Sequence, residues 1–173
     1  MFTQEIALKG VMSRKTKLPD EEVAWLKQFH NTFGLLINDK PNHDIFEKDP
    51  KTVQLRIDLI QEEFNELKEA IQNKDMVEIG DALADILYVT YGAGASFGID
   101  LDKAYRLVHE SNMSKLCTSE DEAKRTVDWY KNNQTVYDSP AYRKCEYDDK
   151  YWVVYNKSSG KILKSINYSA VDL

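Results

Sequence analysis

Apolar residues recur at steps of three and four along much of this chain, and the run over residues 57–90 sets the architecture. Ile57, Ile60, Phe64, Leu67 and Ile71 mark one face of an amphipathic helix, so that face is predicted to be core. Ile79, Leu83, Ile86, Leu87 and then Val89 or Thr90 repeat the pattern. The polar break Asn73-Lys74-Asp75 between them is short enough to turn the second helix back antiparallel on the first. Upstream, Pro19-Asp20-Glu21-Glu22 reads as a helix start. Val23, Leu26, Phe29 and Phe33, with Trp25, give that helix its apolar side, and Gly34 is its stop. Residues 42–50 form a connection, after which Lys51 begins the long helix.

Downstream, Gly92, Ala93, Gly94 and Ala95 are small enough for close helix approach, and Gly98 ends the second helix. A further helix starts at Asp100 or Asp102 and runs to roughly Leu116, with Ala104, Leu107 and Val108 inward. Ser119 before an acidic turn predicts a helix to about Asn132. Residues 151–155 and 161–165 flank the turn-forming run 156–160, a hairpin pattern. The expected fold class is therefore all-α: a four-helix core with a small C-terminal helix and a β-hairpin appendage.

The polar positions of the same run change the picture. Glu63 and Glu66 are i and i+3 on the first helix, with Glu62 beside them, and Glu78, Asp81 and Asp85 step by three and four along the second. If the helices pair, two acidic stripes converge, and like charges so placed repel. A hard divalent cation, Mg²⁺ or Mn²⁺, relieves that repulsion by taking carboxylate oxygens while keeping positions open for water and phosphate. The competing reading is a solvated acidic face, because glutamate is a good helix former and charge runs are commonly exposed.

Composition narrows the field further. A chain of 173 residues, 42% hydrophobic, suffices for one domain and a small appendage. Its net charge of −6 argues against a general nucleic-acid binder, which needs a basic footprint. Two cysteines, Cys117 and Cys145, are too few and too unpatterned for a disulfide framework or a zinc site. No apolar run reaches the length of a membrane span and no leader sequence is evident, so the expected compartment is the reducing cytoplasm.

The runs EEFNE (62–66), DALADILYVTYG (81–92), GIDLDKA (98–104) and VHESNMSK (108–115) resemble the all-α nucleoside triphosphate pyrophosphohydrolases: the MazG-like proteins, the phosphoribosyl-ATP pyrophosphohydrolases and the dimeric dUTPases. The resemblance covers residues 20–117, with 1–19 as an N-terminal arm and 118–173 as a C-terminal extension of helix, hairpin and tail. It implies a MazG-like four-helix core and Mg²⁺-dependent cleavage of the α–β phosphate bond, giving a nucleoside monophosphate and pyrophosphate. It also implies a homodimer or homotetramer, while the acidic charge and the lack of an apolar span argue for no nucleic-acid and no membrane partner.

Carried over residue by residue, the resemblance makes Glu63 and Glu66 the first pair of metal ligands. The second pair has two registers. Glu78 with Asp81 spells the family's E-x-x-D literally, whereas the apolar tail 85–92 aligns Asp85 with the family aspartate and puts Ala82 where a glutamate is expected. We prefer Asp85 with Asp81 and keep Glu78 as a further ligand. Glu62 or a neighbouring carboxylate is assigned to position the attacking water. On the first helix Phe29 and His30 are candidates to stack on a base, while Phe33 is expected in the core. Asn38 is a candidate to read a base edge or simply to make a turn. Asn112 is expected to contact phosphate or sugar, and Lys115 to clamp phosphate. Alternatives are a phosphoribosyl-ATP pyrophosphohydrolase or a dUTPase-like or dCTPase-like enzyme, and, from another class, a non-catalytic helical interaction module.

Overall fold

The computed structural model describes residues 21–133 and 136–173. The basic N-terminal arm and the Pro19-Asp20 helix start lie outside the described residues. Six helices and one two-stranded sheet follow in order: α1 (Glu21–Phe33), α2 (Ile45–Lys48), α3 (Pro50–Asn73), α4 (Met76–Phe97), α5 (Leu101–Met113), α6 (Glu120–Asn132), β1 (Pro140–Lys144) and β2 (Trp152–Asn156). The chain divides into two compact units, the first ending at Asp102 and the second running from Lys103 to Leu173.

In the first unit, α3 and α4 form the helical hairpin that the periodicity predicts. Its ends are set locally. Asp49 caps α3 by accepting from the Thr52 amide at 3.1 Å and the Thr52 hydroxyl at 2.6 Å, with Pro50 opening the helix one residue before the predicted start. At the break, Lys74 takes the left-handed conformation (φ 57°) that closes α3, and the Asp75 carboxylate accepts from the amides of Val77 and Glu78 to open α4. Gly98, also left-handed (φ 73°), closes α4, and a Cβ there would fall 1.9 Å from the Lys40 carbonyl oxygen. The 38–42 loop therefore runs directly over that glycine. Asn38 holds it down, donating from its amide N–H to Ala95 O and from Nδ2 to Ser96 O. Gly34 stops α1 as expected.

Three expectations for this unit are corrected. The connection 42–50 contains the short helix α2, whose Ile45 is buried. More importantly, the stripe predicted to be core is not buried by the chain itself: Ile57, Ile60, Phe64 and Ile71 of α3, with Leu83 and Leu87 of α4, all remain exposed. A two-helix hairpin has one inner face, and here small residues such as Ala70 and Ala82 fill it. Phe33, also expected in the core, is 65% exposed.

The second unit has a closed core of Cys117, Ala123, Val127, Tyr130, Val154 and Leu163. Its helix α6 begins as predicted, with Ser119 Oγ accepting from the Glu122 amide. Strand β2 is where the hairpin pattern places it, but its partner is β1, antiparallel and in register from Pro140 opposite Asn156 to Lys144 opposite Trp152. Residues 161–165 make a single bridge, Tyr155 with Ile162, instead of a strand. The predicted turn forms nonetheless, closed by Asn156 N–H to Lys161 O at 2.8 Å. Helix α5 ends at Met113, three residues short of expectation, where Ser111 and Ser114 fasten the C-terminal tail by bonding Tyr168 and Ser169.

Candidate active site

The hairpin brings the two acidic stripes together. Glu63 on α3 is half-buried, and its carboxyl is held above the usual carboxylate range, first by burial and then by the charges of Asp85, Glu66, Glu62 and Asp81. Four neighbouring carboxylates acting on one, two of them from the opposite helix, is the convergence that the periodicity predicts. Glu62, Glu66, Asp81 and Glu78 are exposed, and Asp85 is half-buried. Glu78 lies in the first turn of α4, beside its cap.

The donor chemistry here is all carboxylate oxygen, open to solvent on one side, which fits a hard divalent cation better than a soft one. Among the described residues no three His, Cys, Asp or Glu side chains are drawn into a ligand set. They stand apart, as mutually repelling carboxylates do.

Beyond the carboxylates, α1 presents an aromatic cluster. Phe29 packs against Phe33 at 4.4 Å between ring centroids with the rings tilted by 40°, and meets Tyr88 of α4 edge-on at 5.7 Å. All three rings are exposed, so a flat apolar ligand has rings to lie against. Tyr88 is absent from the sequence-derived candidates; its spacing of three after Asp85 on one helix face is the signal that points to it.

His30, by contrast, is only 1% exposed. Its Nδ1 lies 3.1 Å from Leu36 O, and a carbonyl can only accept, so Nδ1 carries the proton and Nε2 is the free acceptor. Burial holds its pKa below the ordinary histidine value, against the raising effect of the Leu36 bond, and the Arg56 charge adds to the lowering. The side-chain amide of Asn38 is spent on the Ser96 carbonyl, which is the turn-making role. In the second unit, Lys115 Nζ donates to Asn112 Oδ1 at 2.6 Å, so the two candidate phosphate contacts are bonded to one another.

No single helix among the described residues is long and apolar enough to cross a membrane. The phosphoribosyl-ATP pyrophosphohydrolase family model matches residues 26–112, which run from within α1 through most of α5 and contain every carboxylate described above. An uncharacterised protein of Acanthamoeba polyphaga mimivirus is 30% identical to this chain, over 80% of this chain and 88% of its own length.

Proposed function

We propose, from the premise that the chain belongs to the phosphoribosyl-ATP pyrophosphohydrolase family, that it is a Mg²⁺-dependent nucleoside triphosphate pyrophosphohydrolase. The observation that carries this reading is the Glu63 carboxyl, raised by burial and by four carboxylates from both helices of the hairpin. Such a cluster is unfavourable unless a cation joins it. Glu63, Glu66, Asp81 and Asp85 would hold that cation, with Glu78 as an auxiliary ligand from the first turn of α4. Mn²⁺ would serve the same oxygen donors. Bound there, the metal supplies positive charge to phosphate oxygens and to the leaving pyrophosphate.

The chain's own groups do the rest. Glu62, exposed and adjacent to Glu63, orients water and takes its proton as it attacks the α phosphorus. Phe29 and Tyr88 offer ring faces to a base. The uncovered apolar face of α3 and α4 supports a homodimer or homotetramer in which a second copy covers it. A reducing, cytoplasmic setting suits the free thiols of Cys117 and Cys145.

A screen of ribo- and deoxyribonucleoside triphosphates and of phosphoribosyl-ATP, with Mg²⁺ and reading pyrophosphate, tests the proposal. We expect monophosphate and pyrophosphate as first products, lost on chelation. Primary release of diphosphate and inorganic phosphate, or activity that survives chelation, would falsify it. The exposure of Glu62, Glu66 and Asp81 favours one second reading, a helical interaction module whose acidic face takes a basic partner. That reading requires no heat from Mg²⁺ or nucleotide in calorimetry.

A further inference from the structure

Arg56, on α3, is only 5% exposed, and its Nε has no hydrogen-bond partner among the described residues. No hydrogen bond or ion pair joins its guanidinium to any other described residue. A buried guanidinium left in this state is among the least favourable arrangements in a folded chain, because the charge has given up water and gained no anion. Burial accordingly holds its pKa below the ordinary arginine value, with no carboxylate acting to restore it.

Gly92 of α4 faces the arginine, and a Cβ on that glycine would lie 3.4 Å from Arg56 Nη1 and 3.4 Å from His30 Nε2. Leu26 Cδ1 stands 3.8 Å from the same point, so a donor, a nitrogen able to become a donor and one methyl group close round the bare face of Gly92. The imidazole is held by its bond from Nδ1 to Leu36 O, so its Nε2 has a fixed direction. The sequence places this point relative to the carboxylates. Arg56 precedes Glu63 by seven residues and Gly92 follows Asp85 by seven, so each lies two turns along its helix on the same stripe, about 10 Å away.

We propose that Arg56 and His30, over Gly92, form an oxyanion site that takes a phosphate group distinct from any held at the carboxylate cluster. Arginine suits tetrahedral oxyanions through its forked donors, and His30 adds a second donor once an anion raises its proton affinity. The separation of two helical turns keeps one phosphate from bridging both places. The occupant is therefore either a free phosphate or a phosphate carried elsewhere on the ligand bound at the carboxylates. The site stands on the buried, unpaired arginine and holds whatever reaction the acidic cluster performs.

The test is a titration of the full chain with inorganic phosphate at constant ionic strength, chloride serving as control. Melting temperature and the imidazole NMR signals of His30 are read for the natural protein, Arg56→Met and Gly92→Ala. In the natural protein phosphate raises the melting temperature and moves the His30 signals, and chloride does neither. Arg56→Met removes the unpaired charge while keeping the aliphatic bulk, so the ligand-free protein melts higher and phosphate affinity falls at least about tenfold. Gly92→Ala weakens phosphate binding with the charge intact.

Repeating the titration with Mg²⁺ and saturating nucleotide separates the two sources. Displacement of phosphate identifies a group on the nucleotide, and undiminished binding identifies a free anion. A natural protein that does not respond to phosphate, or a response unchanged in both variants, overturns the proposal. So does a lower melting temperature for Arg56→Met joined to loss of self-association, which would make the missing partner a carboxylate of a second copy.

Discussion

The two units of this chain treat their buried groups in opposite ways. In the second unit Glu122 is buried, yet one oxygen accepts from the amide and hydroxyl of Thr118 and the other from the Ser165 hydroxyl. Burial alone would push its carboxyl up; the bonds from Ser165, Thr118 and Asn167 outweigh that and hold it below the ordinary value. The Tyr130 hydroxyl likewise donates to Lys164 O and accepts from Lys164 N–H. In the first unit Arg56 is buried with its Nε unbonded, Glu63 is pressed by like charges, and apolar side chains of α3 and α4 face outward. A unit whose groups satisfy one another has a structural task. The unit that leaves cation, anions and apolar surface open is the one built to receive something.

That contrast is broken or sharpened by substitution, beginning with the closed unit. Leu163 is 2% exposed, so Leu163→Ala should lose about 3 kcal/mol of stability, the usual range for a buried leucine being roughly 2–5 kcal/mol. Denaturant unfolding measures it. A loss under about 1 kcal/mol would mean that this core collapses around the gap and is less closed than it looks.

Next comes the open unit's chemistry. Asp85→Asn keeps the side-chain volume and removes one anionic oxygen, and we expect turnover to fall about a hundredfold or more, near 2.7 kcal/mol at 1.36 kcal/mol per tenfold. Glu78→Gln should be milder, because Glu78 stands in the first turn of α4, about two turns before Asp85. Reversal of that order in steady-state kinetics would establish the literal E-x-x-D register. The same cluster fixes a pH sign. The Glu63 carboxyl is raised in the folded protein, so its protonated form favours the fold at low pH and that contribution is lost as pH climbs through the raised value. Metal-free melting should therefore soften above the ordinary carboxylate range, and Glu63→Gln should flatten that slope.

A third effect is smaller and depends on concentration. Leu87 is 61% exposed, so Leu87→Ser should change the stability of the dilute single chain by no more than about 0.5 kcal/mol. If a second copy covers this face, the same change weakens association by about 1 kcal/mol or more, seen in sedimentation. Unaltered association would exclude this face from the contact.

The hairpin and its acidic convergence were legible because each rests on local signals: three-and-four spacing along both helices, and the short polar break Asn73-Lys74-Asp75 between them. Arg56 was not legible. A single arginine in a helix rich in charge reads as solvated, and its burial depends on Gly92 and His30, distant in sequence. Only its seven-residue offset from Glu63, matched by that of Gly92 from Asp85, hints at it. The apolar stripe of α3 was read correctly as a stripe, but periodicity reports that a face is apolar and not what covers it. Strand β1 was missed because Pro140, Arg143 and Lys144 give little strand signal; the pairing with β2 and the bond from Tyr142 to Glu120 impose the strand from outside.

The smallest effect lies at the turn of the closed unit. The Asp138 carboxylate accepts from the hydroxyl of Ser158 at 2.6 Å, from Asn156 Nδ2 at 3.0 Å and from the Ser139 hydroxyl at 3.0 Å, and these bonds draw its pKa from 3.8 to about 2. A carboxyl depressed in the folded state stabilises the fold above its unfolded pKa, and the contribution disappears as pH falls through the folded value. The window is therefore about pH 4 to 2, opposite in direction to the loss at Glu63. Because Asp138 is at the surface, solvent screens the effect, and it should appear as a slope and not as a collapse. Asp138→Asn keeps an amide oxygen to accept one bond but no charge to titrate, so its melting temperature should fall less steeply through that window than that of the natural chain. Superimposable acid profiles would show that the turn is held by Asn156 and the serines alone, and that even the closed unit does not depend on this carboxylate.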